Sequence, residues 1–287
     1  MKLLHFCYVR ALAPRFHPVV TRFLLFAMIA ALPCGATDAT LLDAGYRQMY
    51  DLQFDGAHRA FRQWGQLHPD DPMGPVSEAA AYLFSEFDRM EILQSEFFVD
   101  DASFLHIRRL NPDPAVKAGF EAALARGQTL AGRALQSSPG DENALLATVL
   151  RLGLHADYLA LVEKRYLASL SEMKQGRDVA GKLLAAHPHC YDAYLAIGVE
   201  NYLLSLKPAP IRWLLRVGGA QTDKDVGIAN LRLTASNGRY LMPYARLLLA
   251  VAALRDNNRP QARRTLAWLA DAYPQNRLYR EELAKLQ

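Results

Sequence analysis

Four segments of this chain share one outline, and that outline limits the fold more than any other feature. They are AHRAFRQWGQLHP (57–69), GQTLAGRALQSSP (127–139), GRDVAGKLLAAHP (176–188) and ARRTLAWLADAYP (262–274). Each opens on a small residue twelve positions before its proline: Ala57, Gly127, Gly176 and Ala262. Five before the proline stand Trp64, Ala134, Leu183 and Leu269. A small residue lets a neighbouring helix approach to roughly 8–10 Å between axes. Apolar residues three and four steps apart form the buried stripe. The proline has no N–H to continue the ladder, so it fixes the stop. LLDAGYRQMYDLQF before the first segment and YDAYLAIGVENYLL after the third supply partner helices. The pattern predicts antiparallel helix pairs, each closed by a proline.

These segments resemble the second helices of tetratricopeptide repeats, which carry a small residue, an apolar residue four later, an alanine-leucine pair and a closing proline. The resemblance implies an all-α fold, a TPR-like α-solenoid of antiparallel helix pairs with irregular insertions, over residues 37–287. The prolines lie 70, 49 and 86 residues apart, against a family period of about 34, so enlarged or degenerate units fill the gaps. The terminal YREELAKLQ reads as a capping helix with a polar face. Residues 198–250 are further similar to a segment of the eukaryotic tetratricopeptide-39 family. The match runs through Leu203–Pro208, Ile211–Leu215, Gly218–Gly219, Asp223–Gly227 and Ala245–Leu249. Its motifs are structural, and that family's intracellular roles do not transfer to a chain with a leader.

Three stretches depart from the repeat. Residues 141–174 contain no proline and a single glycine, Gly153, with Asp141 placed to cap the start. They predict one helix of about 50 Å. Residues 98–114 read as a loop. NYLLSLKPAPIRWLLRVGG (201–219) reads as a helix end, a proline break and a short helix. In that helix Ile211, Leu214 and Leu215 form one face, Trp213 and Val217 flank it, and Arg212 and Arg216 share a narrow polar strip. Because it is apolar around most of its girth, it is expected to wedge between two neighbours. A lip over an apolar groove and insertion at a membrane surface are the alternatives.

The N-terminus predicts export. Residues 1–36 hold Lys2, Arg10, Arg15 and Arg22 and no acid, followed by FLLFAMIAAL and a small-residue site before Thr37. That is the order of a signal peptide. The apolar run is about half the roughly 20 residues needed to span a bilayer. The four cations account for the net charge of +4, so the remainder is neutral and has no basic face for nucleic acid. Cys7 and Cys34 fall in the leader, which leaves Cys190 without an internal partner. No Asn-x-Ser/Thr acceptor occurs. The periplasm is the expected compartment, with secreted or membrane-anchored forms as alternatives.

Catalytic and metal motifs do not emerge. SEMK (171–174) matches Ser-x-x-Lys without its partner motifs, and HPHC (187–190) lacks the second ligand cluster that zinc needs. GGA (218–220) lacks the lysine and serine of a phosphate loop, and Asp100 and Asp101 read as solvated acids. No cofactor and no enzymatic activity are expected. The expected role is that of a non-catalytic scaffold holding a protein or peptide in a concave groove, with weak membrane contact at most. Tyr158, Tyr166, Tyr194, Asn201, Tyr202, Arg212 and Trp213 are the candidate partner-binding residues, because aromatics with Asn or Arg make good peptide contacts. The alternative is a carrier of an apolar ligand or lipid that uses residues 203–217.

Overall fold

The computed structural model describes residues 40–92 and 111–286. The leader (1–36) and most of the expected loop (98–110) lie outside the described residues. The described residues form twelve α-helices and contain no strand. They are α1 (Leu41–Tyr50), α2 (Phe54–Leu67), α3 (Met73–Arg89), α4 (Pro114–Ser137), α5 (Glu142–Asp157) and α6 (Tyr166–Ala186). There follow α7 (Tyr194–Ser205), α8 (Ala209–Val217), α9 (Lys224–Asn237), α10 (Met242–Arg255), α11 (Arg259–Ala272) and α12 (Arg277–Ala284).

Local chemistry sets most of these ends. Thr40 and Asp43 close a capping box on α1. Asp113, Asp141, Asp223, Asn258 and Asn276 accept backbone N–H groups at the starts of α4, α5, α9, α11 and α12. Each such cap satisfies donors that a helix start leaves open. Pro69, Pro139, Pro188 and Pro274 all sit in the turn after a helix, as the sequence predicts. The residue before each is forced out of the helical region. His68, Ser138, His187 and Tyr273 have φ of −129°, −141°, −132° and −127°, and each N–H still closes the last helical turn.

Helices pack in chain order, as α1 with α2, α3 with α4, α5 with α6, α7 with α9 and α10 with α11. The second helix of each pair packs on the first helix of the next, and α12 covers α11. The small residues sit at the crossings. Ala57 and Ala262 are fully buried. A Cβ on Gly127 would lie 2.5 Å from Val76 Cγ2 of α3. The pair α7–α9 lacks a proline, and here Gly198 and Gly227 make the close approach. The 86-residue gap between prolines therefore holds a complete pair, with α8 inserted between its two helices.

The single long helix expected over 141–174 is corrected. Helix α5 ends at Asp157, a π-helical turn spans Tyr158–Val162, and α6 starts at Tyr166. Lys164 takes φ of 58° in between. The sequence carries no breaker here, so tertiary packing makes the turn. Tyr158, Leu161 and Val162 fold back into an apolar cluster with Leu83, Phe87 and Phe120. Glu142–Val162 is also long and apolar enough to cross a membrane by length and composition alone. In this fold it packs against α3, α4 and α6.

The two ends of the described array meet. Tyr46 of α1 stacks on Tyr240, with ring centroids 4.8 Å apart, and Tyr50 meets Tyr273 at 5.8 Å. Asn276 donates to the Tyr50 carbonyl at 2.8 Å, and the Gln275 N–H donates to Asp51 at 2.9 Å. Arg277 pairs with Asp88 of α3 at 2.9 Å. Helix α10 carries apolar residues on every side, which a helix tolerates only when it is enclosed. It lies at this junction, with Tyr244 edge-on to Phe84 of α3.

Arg239 adds a charged clasp, donating Nε and Nη2 to Asp43 at 2.8 Å each. That hydrogen bond is the main reason the Asp43 carboxyl falls from 3.8 to about 2. The folded state therefore holds fewer protons than the unfolded one in that interval. The clasp stabilises at pH above the unfolded value and is lost as pH falls toward about 2. Both side chains are partly exposed, so its worth is about 1 kcal/mol or less. Arg239→Met is expected to flatten the acid limb of a stability-versus-pH curve by that amount and leave the neutral region less stable. Denaturant titrations across the acid range check this.

Candidate binding cavity

Where the first helices of the pairs and α10 converge, they leave a cavity of about 90 Å³. A single buried water needs roughly 10–15 Å³ of such space, so there is room for several, or for a small apolar group. The wall follows from helical spacing. Tyr46, Met49 and Tyr50 project from α1, and Leu150, Gly153, Leu154 and Asp157 from α5. Leu195, Ala196 and Val199 come from α7, Ala80 and Phe84 from α3, and Met173 and Gly176 from α6. Leu241 and Tyr244 close it from α10 and the residue before it. Side chains at steps of three, four and seven share one face of a helix, which is why each helix contributes a run. Gly153 is exposed and a Cβ built on it would meet nothing within 4 Å, so the recess is open to solvent at its backbone.

Few polar groups interrupt this wall. The Asp157 carboxylate accepts a hydrogen bond from the Tyr244 hydroxyl, and burial pushes its pKa from 3.8 to about 7. Asp157 is half-buried and lies on the cavity wall. Burial, with the neighbouring Asp157 charge, holds the Tyr244 hydroxyl well above its ordinary value. Tyr50 is buried, and its hydroxyl has no hydrogen-bond partner among the described residues. Leaving such a group unpaired costs about 1–3 kcal/mol. Asp192 is already engaged, accepting the backbone N–H groups of Arg239, Tyr240 and Leu241. It organises the start of α10. Tyr46 accepts from Ser77 at 3.1 Å.

The seven residues singled out in the sequence lie elsewhere, and none lines the cavity. Tyr158 is buried in the cluster around Phe120, with ring centroids 5.0 Å apart. Tyr166 is exposed at the start of α6. The Tyr194 hydroxyl donates to the Pro188 carbonyl at 3.3 Å. Asn201 is only 1% exposed. Its side chain donates to Ile197 O and Gln221 Oε1 and accepts the Asp223 N–H. Tyr202 is buried under Gly227. Arg212 donates to the carbonyls of Ser205 and Lys207. Trp213 is 66% exposed. Arg212 and Trp213 thus share α8, and Tyr194, Asn201 and Tyr202 share α7.

The wedge expected for α8 is also corrected, because no residue of Ala209–Val217 is buried. Ile211, Trp213, Leu214 and Val217 are all exposed. The helix is held through its C-terminal turn instead. Lys174 donates to Gly218 O and Arg177 to Gly219 O, while Arg216 donates to Thr222. Arg177 also pairs at 2.9 Å with Glu200, which is fully buried and receives the Gln221 N–H. These clips fix residues 218–222 and leave the apolar face of α8 outward. The cavity wall includes none of residues 203–217.

The minor motifs resolve as structure. Lys174 of SEMK serves the Gly218 carbonyl. His187 contacts Gly140 O at 2.9 Å, and Cys190 is a buried free thiol pushed up to about 12, chiefly by burial. No group of three or more His, Cys, Asp or Glu suited to a metal occurs among the described residues. Asp157, Tyr50, Tyr244 and Gly153 were not among the sequence candidates. The one signal available was an acid at the end of the apolar run 144–156. No family model, no curated protein and no solved structure matches this chain.

Proposed function

We propose that this chain is a non-catalytic binding protein of tetratricopeptide-type helix pairs, and that it holds a small apolar ligand in the partly open cavity described above. The observation that carries this reading is the void at Gly153, walled by Leu150, Leu154, Ala196 and Val199 and touched by few polar groups. A mostly apolar recess with a small number of placed polar groups is the usual form of a ligand site. A peptide in a concave groove is the weaker reading. Of the seven residues proposed for such a groove, Tyr158, Asn201 and Tyr202 are buried. The basic, acid-free leader at residues 1–36 supports export to the periplasm.

The test is native mass spectrometry on chain purified without detergent or organic extraction, followed by reloading with 1-hexanol. The expected result is a bound small molecule that leaves on denaturation, and hexanol binding to the emptied protein. Gly153→Leu fills the void and is expected to abolish hexanol binding while keeping the helical content. Hexanol binding that survives Gly153→Leu, or none to wild type, contradicts the proposal.

A second reading is favoured by α8, where a weak contact with a lipid surface fits an outward face of Ile211, Trp213, Leu214 and Val217. Residues 201–222 hold Lys207, Arg212 and Arg216 and no Asp or Glu. Tryptophan with nearby cations suits a membrane interface. Trp213→Ala with Leu214→Ala is expected to change folding stability by no more than about 0.5 kcal/mol, because both side chains are exposed. The pair is expected to lower co-sedimentation with vesicles of phosphatidylglycerol. Unchanged co-sedimentation, or none by wild type, removes this reading.

A further inference from the structure

We infer that Asp157 makes the cavity select an apolar ligand carrying a cationic amine head over a neutral or acidic ligand of the same shape. This rests on the apolar-cavity reading above and adds the chemistry of the ligand's polar end.

The argument starts from the charges on the wall. Among the described residues lining the cavity there is no Lys, Arg or His. The ionisable groups are Asp157 on α5, Asp192 before α7, Tyr46 and Tyr50 on α1, and Tyr244 on α10. Helices α3, α6 and α7 contribute none to the lining. The phenols of Tyr46, Tyr50 and Tyr244 are raised by burial and stay protonated at neutral pH. Asp192 is occupied by three backbone N–H groups. Asp157 is therefore the carboxylate whose charge a ligand in the cavity meets. Tyr244 takes one of about four acceptor positions on a carboxylate. An ammonium head brings three donors and no acceptor. It can donate to the free positions of the Asp157 carboxylate and neutralise its charge.

The converse also follows. A ligand carboxylate would place two like charges in a water-poor recess, where their repulsion is much stronger than in water. A neutral alcohol can donate one hydrogen bond to Asp157 but leaves its charge uncompensated. The two ligand types must therefore respond to pH in opposite senses. An alkylamine stays cationic throughout the neutral range, so its binding strengthens as Asp157 gives up its proton. An alcohol loses affinity over the same range, because ionised Asp157 is better left to water.

The experiment is calorimetric titration of the full chain with hexylamine, 1-hexanol and hexanoate, above and below neutrality. In the alkaline arm hexylamine is expected to bind roughly tenfold tighter than 1-hexanol, the size of one charge-assisted hydrogen bond, with hexanoate the weakest. In the acid arm, where protonated Asp157 no longer offsets the ammonium charge, the preference is expected to be lost or to reverse in favour of the alcohol. In Asp157→Asn the amine is expected to bind more weakly than the alcohol in both arms, because its charge then has no partner. The wild-type pH profile needs no variant, so it decides the question even if Asp157→Asn misfolds. Hexanol binding with no amine preference, equal or tighter binding of hexanoate, or a preference that persists in Asp157→Asn each overturns the inference while sparing the cavity. Failure of all three probes to bind overturns both.

Discussion

Gly227→Val is expected to cost about 3 kcal/mol or more of folding stability, as overpacking at a rigid crossing does. A Cβ at 227 would lie 2.6 Å from Tyr202 N and 2.9 Å from Tyr202 Cα. These are backbone atoms of α7, so no side chain can rotate aside. Helices α7 and α9 would have to separate, and Leu231 and Tyr202, both almost fully buried, would lose contact. The same crossing is tight at Gly198, 3.0 Å from Leu231 N. A domain of this kind is stable by only about 5–15 kcal/mol, so the variant is expected to melt far earlier than wild type. Gly132→Ala is the control. It lies on α4 with nothing within 4 Å, and is expected to be neutral or to gain up to about 1 kcal/mol from helix propensity. Urea titration of the three proteins checks both statements.

Asp157→Asn is expected to stabilise the protein, with a sign that depends on pH. Burial raises the Asp157 carboxyl from 3.8 to about 7. Between those values the folded state holds a proton that the unfolded state has released. Wild-type stability therefore declines as pH rises through that interval and levels off above it. At about 1.36 kcal/mol per unit, the ceiling on this loss is about 4 kcal/mol. Asparagine keeps an oxygen for the Tyr244 hydroxyl but adds an amide that needs its own partner, which costs about 1–3 kcal/mol. The net expected gain is about 2 kcal/mol on the alkaline side, turning into a loss of about 1–3 kcal/mol on the acid side, where Asp157 is protonated in both states and only the amide cost remains. Denaturant midpoints measured across this range check it. A variant less stable than wild type at every pH contradicts the placement of Asp157 in a dry wall.

What the sequence disclosed and what it withheld divide along a physical line. Proline chemistry is local, so Pro69, Pro139, Pro188 and Pro274 announced their turns without help from tertiary structure. The cap at Asp141 was legible for the same reason. The pair α7–α9 was obscured because Gly227 does the work of the small residue and no proline marks the end. The π turn at Tyr158–Val162 was invisible, since no residue there disfavours helix and the fold-back is driven by Leu83, Phe87 and Phe120. Helix α8 misled for a related reason. Apolar periodicity reports that a face wants a neighbour, not whether one is supplied. The cavity depends on α1, α5, α7 and α10 meeting across up to two hundred residues of chain. Asp157 shows its role only once Tyr244 stands opposite. Tyr158, Asn201 and Tyr202 drew attention as an aromatic and amide cluster, and they serve packing and the anchoring of residues 221–223.

The central claim is that the first helices of the pairs, α10 among them, line a mostly apolar recess that takes an apolar guest. The most direct measurement is a nuclear magnetic resonance titration of isotopically labelled chain with 1-hexanol. The account predicts shifts concentrated on the methyls of Leu150, Leu154, Ala196 and Val199 and the amide of Gly153. Shifts confined to α8, or none at all at saturating hexanol, would contradict it.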